Sequence, residues 1–159
     1  LLDDLQHEVW RIRTEYFQNQ ANQFPNQARA AIQLGWCLTG TKNWYEAIRQ
    51  FERIEADHCA FTIVEEIALQ LGLAESQQAI RRFDDALGTF TKLLELLTQC
   101  KQPDEVDEEL SAQFPGLENE SGMQRSLKRI KTLAASMNQT ALSQKCDDLA
   151  QKIVVSTDN

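Results

Sequence analysis

The sequence predicts an all-α protein: a stack of antiparallel helix hairpins, led by one helix and closed by a further helix pair. Three observations predict it. Apolar residues recur at spacings of three and four along most of the chain, the mark of a buried helical face. Glycine and proline are scarce, 6 and 3 residues of 159, while Gln, Glu, Leu and Ala abound, a mixture that favours helix over sheet. Finally, one stretch is written twice. Trp44, Ala47, Phe51 and Ile54 return as Phe83, Ala86, Phe90 and Leu93, each 39 residues on, and Gln33-Leu34-Gly35 returns 37 residues on as Gln70-Leu71-Gly72. Self-similarity at a fixed period of this size signals a stacked array.

Residues 1–24 read as a packing helix. Leu2, Leu5, Val9, Ile12 and Tyr16 alternate spacings of three and four, and Trp10 and Phe17 widen the stripe. The Asn-rich tract around Pro25 ends it. Residues 28–97 then hold two hairpins. One helix runs from about Gln27 to Gly40, with Ala28, Ala31, Ile32, Leu34 and Leu38 apolar; its partner runs from Trp44 to about Ala56. A third helix spans about Ala60 to Arg81 and a fourth Phe83 to Leu97. "TIVEEIALQL" has the β-branched residues of a strand, but Val64, Ile67 and Leu71 keep helical spacing. Gly35 inside a helix costs about 0.8–1 kcal/mol relative to alanine. Close approach to Ala47, with Trp44 and Phe51 filling the space above and below, is expected to offset that.

Residues 98–121 change character. Asp104, Glu105, Asp107, Glu108, Glu109, Glu118 and Glu120 cluster between Pro103 and Pro115-Gly116 and beyond. They read as an acidic, partly disordered loop. The competing reading is a docking segment, because Val106, Leu110 and Phe114 stand at i, i+4 and i+8. Residues 122–155 form a capping helix pair, with one stripe through Met123, Leu127, Ile130, Ala134 and Met137 and another through Leu142, Cys146, Leu149 and Ile153. Arg125, Lys128, Arg129 and Lys131 make it basic, either as a solvated face or to attract the acids upstream. All segments belong to one domain.

The pattern Leu34, Gly35, Trp44, Ala47, Phe51, and again Phe83, Ala86, Phe90, resembles the tetratricopeptide repeat, whose unit of about 34 residues places such residues on two helices. It is a divergent resemblance, loosely similar to the mitochondrial fission adaptor type. The family's proline after the second helix is replaced by Cys59, and the period is longer. The small position of the second repeat falls on Gly72 or on Ala74. The resemblance implies a concave groove lined by the first helix of each repeat, here Arg29, Ile32 and Trp36, then Leu71 and Glu75. It implies binding of a protein or peptide there, an amphipathic helix or apolar segment. Ile32 and Trp36 stand where carboxylate-gripping relatives carry a polar clamp. Trp36 is expected either open in the groove, as a binding hot spot, or covered by Trp10 or Phe17 of the leading helix.

Charge and motifs exclude other classes. A formal net charge of −8 disfavours nucleic acid. No run of apolar residues is long enough to span a membrane. Cys37, Cys59, Cys100 and Cys146 are too scattered for a zinc site, so buried free thiols are expected, and no metal or cofactor. Asp57-His58-Cys59 holds three catalytic residue types, but neighbours in sequence point apart and make no triad. The expected function is a non-enzymatic adaptor or assembly subunit, cytoplasmic, with self-interaction through the N-terminal helix or acidic loop as a further possibility. A dedicated chaperone for a secreted or membrane partner is the first alternative; a ligand sensor or enzyme with an interhelical pocket is the second.

Overall fold

The computed structural model describes residues 2–57 and 60–157, with side chains as far as Ile153. Among these residues there are eight helices and no strand: α1 (Leu2–Gln23), α2 (Ala28–Gly40), α3 (Trp44–Asp57), α4 (Ile63–Ala79), α5 (Phe83–Thr98), α6 (Pro103–Gln113), α7 (Gly122–Ser136) and α8 (Thr140–Thr157). The all-α class read from the sequence is the class observed.

Three hairpins, α2/α3, α4/α5 and α7/α8, are joined by one and the same turn. Each turn puts a non-glycine residue in the left-handed region: Lys42 at φ 63°, Arg81 at 66° and Asn138 at 59°. The residue after it donates its N–H back across the turn, Asn43 to Leu38, Arg82 to Gln77 and Gln139 to Ala134, at 2.9, 2.9 and 2.8 Å. Its carbonyl then accepts from the first turn of the next helix, at Ala47, Ala86 and Ser143. This left-handed closure satisfies carbonyls that a helix end would otherwise leave unpaired. Lys42 and Arg81 are 39 residues apart, so the turn carries the period of the aromatics. The third hairpin keeps the turn without the aromatics.

The shared turn also fixes the register that the sequence left open. Gly35 stands seven residues before Lys42, and Ala74 stands seven before Arg81. Ala74 therefore occupies the position of Gly35. Gly72 does a different job, between hairpins: a Cβ there would lie 2.5 Å from Cζ of Phe51 in α3. Phe51 also faces Gly35, so its ring fills the gap between α2 and α4. Ala47, Phe51, Ala86 and Phe90 are fully buried, Trp44 is half-buried and Phe83 is exposed.

The hairpins stack in chain order. α3 packs on α4 and α5 on α7, while α2 also touches α4. α4 starts at a capping box, in which the Thr62 hydroxyl accepts from the Glu65 N–H and the Glu65 carboxylate accepts from the Thr62 N–H.

Two sequence expectations are corrected here. The segment 98–121 is not chiefly loop: residues 103–113 form α6, laid across α4 and α7. Pro103 does not break this helix but opens it, at the N-terminal position where its missing N–H costs nothing. Val106 and Leu110 bury one face, Phe114 and Leu117 follow them into the core, and most of the acids stay outside. Asp107 has a specific task. It accepts from the Ser121 hydroxyl at 2.5 Å and from the Met123 N–H at 2.9 Å, so it caps the start of α7.

The second correction concerns α1. Its stripe of Leu2, Leu5, Val9, Ile12 and Tyr16 does not pack on the body but stays exposed. Trp10, Thr14, Phe17 and Ala21, a second row about a third of a turn round the helix, face α2 and are half-buried. Trp10 decides the orientation, because its ring lands on Gly40, where a Cβ would lie 2.6 Å from it.

Candidate functional site

The residues read as a groove lining do not line one. Ile32, Trp36 and Leu71 are 0, 1 and 0% exposed, and Glu75 is mostly covered; only Arg29 is open to solvent. The chain itself fills the space. The Gln33 amide donates to the Gln113 carbonyl at the end of α6, at 2.7 Å, and Phe114 and Leu117 are buried just beyond it. The segment that the i, i+4, i+8 spacing marked as able to dock has docked internally.

Trp36 is held from several sides. Its indole N–H donates to the Ala68 carbonyl at 3.0 Å. Gly116, at φ +97°, crosses its ring, and a Cβ there would lie 3.5 Å from Trp36 and 3.7 Å from Trp10. The Arg125 guanidinium sits 5.5 Å from the ring centre. That guanidinium donates twice to Glu75, at 2.8 and 2.9 Å, and once to the Gly116 carbonyl at 3.0 Å. Arg129 reaches the same carboxylate at 3.2 Å. The basic patch of α7 thus turns to Glu75 of α4 rather than to the acids of α6, and Lys131 pairs with Asp147 of α8 at 2.7 Å. A cleft of about 420 Å³ remains, walled by Trp10, Trp36, Trp44 and Gly40 and floored by the Glu75–Arg125 pair. Glu75 is its one lining carboxylate and both Arg125 and Arg129 reach it, so the lining carries one positive charge in excess.

An open apolar row lies elsewhere, on α1. Leu2, Leu5, Val9, Ile12 and Tyr16 are 71, 61, 47, 54 and 57% exposed, in a row about 21 Å long at the helical rise per residue. At its C-terminal end the row meets a groove of about 350 Å³, formed by Ile12, Tyr16 and Phe17 on one side and Gln113, Phe114 and Pro115 on the other. Tyr16 and Phe17 meet edge to face, ring centres 5.1 Å apart. Charged residues border the row. Arg13 lies on the body side, over the Trp10 ring and 3.3 Å from Glu118. Glu8 and Glu15 lie on the far side, both paired with Arg11. The hydrogen bond from Arg11 holds the Glu8 carboxyl below the usual carboxylate range.

Sequence reasoning found every residue of this row but gave it the wrong neighbour. The signal that could have corrected it is the pair Trp10 and Phe17. Two large aromatics seven residues apart define a face of their own, and it competes with the aliphatic stripe for the body.

Reactive groups are few. Cys37 and Cys146 are buried and Cys100 half-buried, all as free thiols. Burial pushes the Cys37 thiol up to about 12 and the Cys146 thiol up to about 11, the opposite of what a nucleophile needs. His58 and Cys59 of the Asp57-His58-Cys59 cluster lie outside the described residues. Among the described residues no three His, Cys, Asp or Glu side chains are grouped to hold a metal ion, and no helix is long and apolar enough to cross a membrane. No protein-family model, curated protein or solved structure matches the chain.

Proposed function

We propose that this chain is a non-enzymatic protein–protein interaction module, and that it works through the outer face of α1 rather than through its inner face. The observation that carries the reading is the row from Leu2 to Tyr16: five large apolar side chains, each about half exposed or more, side by side on one rigid helix. Folded proteins seldom leave contiguous apolar surface without a use for it. These side chains are not needed to hold α1 in place, since Trp10 and Phe17 face the body. The partner that suits a straight apolar row with charged borders is an amphipathic helix. The groove beside Phe114 and Pro115 gives such a helix a side wall.

The likeness to a divergent tetratricopeptide array is part of the proposal. It is supported by the turn at Lys42, Arg81 and Asn138, which recurs in three hairpins. In this reading α6 occupies the side on which such arrays receive peptides, and that moves the contact surface to the leading helix.

The test is site-specific photo-crosslinking in the native cell. A photoreactive residue at Ile12 is expected to give discrete protein adducts, and one at Tyr45, somewhat more exposed on α3, is expected to give none. Absence of adducts from Ile12, or the same adducts from both positions, would overturn the proposal.

A further inference from the structure

We infer that the first occupant of this face is the same face of a second copy, the two α1 helices lying parallel and in register. The inference rests on α1 as the docking face and goes on to name what docks there.

Residues 2, 5, 9, 12 and 16 follow the alternation of three and four that defines the a and d positions of a heptad, with no break over two heptads. Such a seam is self-complementary: Leu2, Val9 and Tyr16 fall at a, Leu5 and Ile12 at d. A β-branched residue at an a position, as at Val9, suits two strands. Two heptads alone would make a marginal helix in water. Here α1 is 22 residues long and already fixed to α2 through Trp10 and Phe17. The ordering cost that defeats short isolated coils is met within each copy.

Charge complementarity selects the orientation. With Leu2 at a, Glu8 is the g residue and Arg13 the following e residue. In a parallel pair these positions meet across the seam, so Glu8 of each copy faces Arg13 of the other, twice by symmetry. An antiparallel pair would set Glu8 against Glu15 of the second copy instead. The Glu8–Arg11 and Arg13–Glu118 pairs present in one copy are exposed, and pairs of that kind are weak enough to exchange. The packing row of α1 lies about a third of a turn from the seam, so the two bodies fall on opposite flanks. The wall at Gln113–Pro115 of one copy then borders the helix of the other, which makes the contact isologous.

The experiment is sedimentation of the whole chain over a concentration series from micromolar to near-millimolar, with three sets of variants. Val9→Asp is expected to leave a folded monomer, with helical content checked by circular dichroism. Glu8→Arg and Arg13→Glu are each expected to weaken dimerisation about five- to tenfold, and the double variant to restore it. Val9→Cys is expected to give a disulfide-linked dimer on mild oxidation that the parent chain does not give, as a–a pairing in parallel register requires. A dimer that ignores Val9→Asp, or charge swaps that fail to rescue one another, would overturn the inference. A chain that stays monomeric throughout would also overturn it, yet discrete Ile12 adducts would then leave α1 as a docking face for some other helix. Loss of both results would remove the face itself.

Discussion

Phe51 in α3 rests the tip of its ring on the bare backbone of Gly72 in α4, where a Cβ would lie 2.5 Å from Cζ. The same atom would lie 2.7 Å from a Cβ at Gly35 in α2. One aromatic side chain therefore sets the spacing of three helices, and two glycines in helix interiors are the condition for it.

The first prediction concerns those glycines. Alanine for glycine in a helix normally stabilises by up to about 1 kcal/mol. At Gly35 and Gly72 the added methyl group meets a ring with no exposed surface, so Gly35→Ala and Gly72→Ala are each expected to destabilise by about 1–3 kcal/mol. Gly88, in α5, has nothing within 4 Å of its would-be Cβ, and Gly88→Ala is expected to stabilise by about 0.8–1 kcal/mol. Urea denaturation of the three variants gives the signs directly. Stabilisation at Gly35 or Gly72 would mean that the ring is free to move.

Trp36 supplies the second. As a groove residue it would be replaceable without harm to the fold. Buried as it is, with its indole N–H on Ala68, Trp36→Ala is expected to cost about 3–5 kcal/mol. Thermal unfolding checks this, and an unchanged midpoint would refute the burial.

The third separates the members of the ion pair beneath it. Glu75 serves both Arg125 and Arg129, and side chains of the main pair are only 10 and 20% exposed. Removing Glu75 strands Arg125 against Trp36 without a counter-charge, whereas removing Arg125 leaves Glu75 with Arg129. Glu75→Ala is thus expected to destabilise by about 3 kcal/mol, and Arg125→Ala by roughly 1 kcal/mol less. Equal losses in chemical denaturation would contradict this ordering.

The fourth concerns the thiols. Burial raises the Cys37 and Cys146 pKa values in the folded chain, while unfolded cysteine ionises near about 8.5. The unfolded state alone loses protons as pH rises through that value. The stability these thiols contribute is full below it, and declines as pH climbs toward the folded values of about 11 and about 12. Neither thiol is expected to react with a disulfide reagent at pH 8 until denaturant is added. Prompt labelling of Cys37 in the native chain would show that its cover opens readily.

Much of the fold was legible in the sequence because helical burial writes itself at three-four spacing and the paired aromatics wrote the period. Trp44, Ala47 and Phe51 with Phe83, Ala86 and Phe90 located two hairpins and, through them, the turns. Less was legible wherever two physical signals shared one segment. On α1 an aliphatic row and an aromatic row both qualified as the buried face, and composition does not rank them; the fit of Trp10 onto Gly40 is a tertiary fact. In 98–121, acid content argued for solvation while Val106, Leu110 and Phe114 argued for burial. Both hold, on opposite sides of α6, and Pro103 misled because its meaning depends on whether a helix begins or continues there. Trp36 is covered, as one of its two readings had it, but Gly116 and Arg125, about eighty to ninety positions away, lie against its ring, and no local pattern announces them.

The way α6 is inserted has a consequence for how such a chain can change. α5 meets α7 directly, so the row of hairpins remains continuous across the detour between them. Shortening or rewriting that detour would reshape the interior wall while the row persists. A descendant sequence could in this way open an inward-facing chamber beside Trp36 by editing one connector, and the same edit would redraw the Gln113–Pro115 wall and the Arg13–Glu118 pair that border the outer helix.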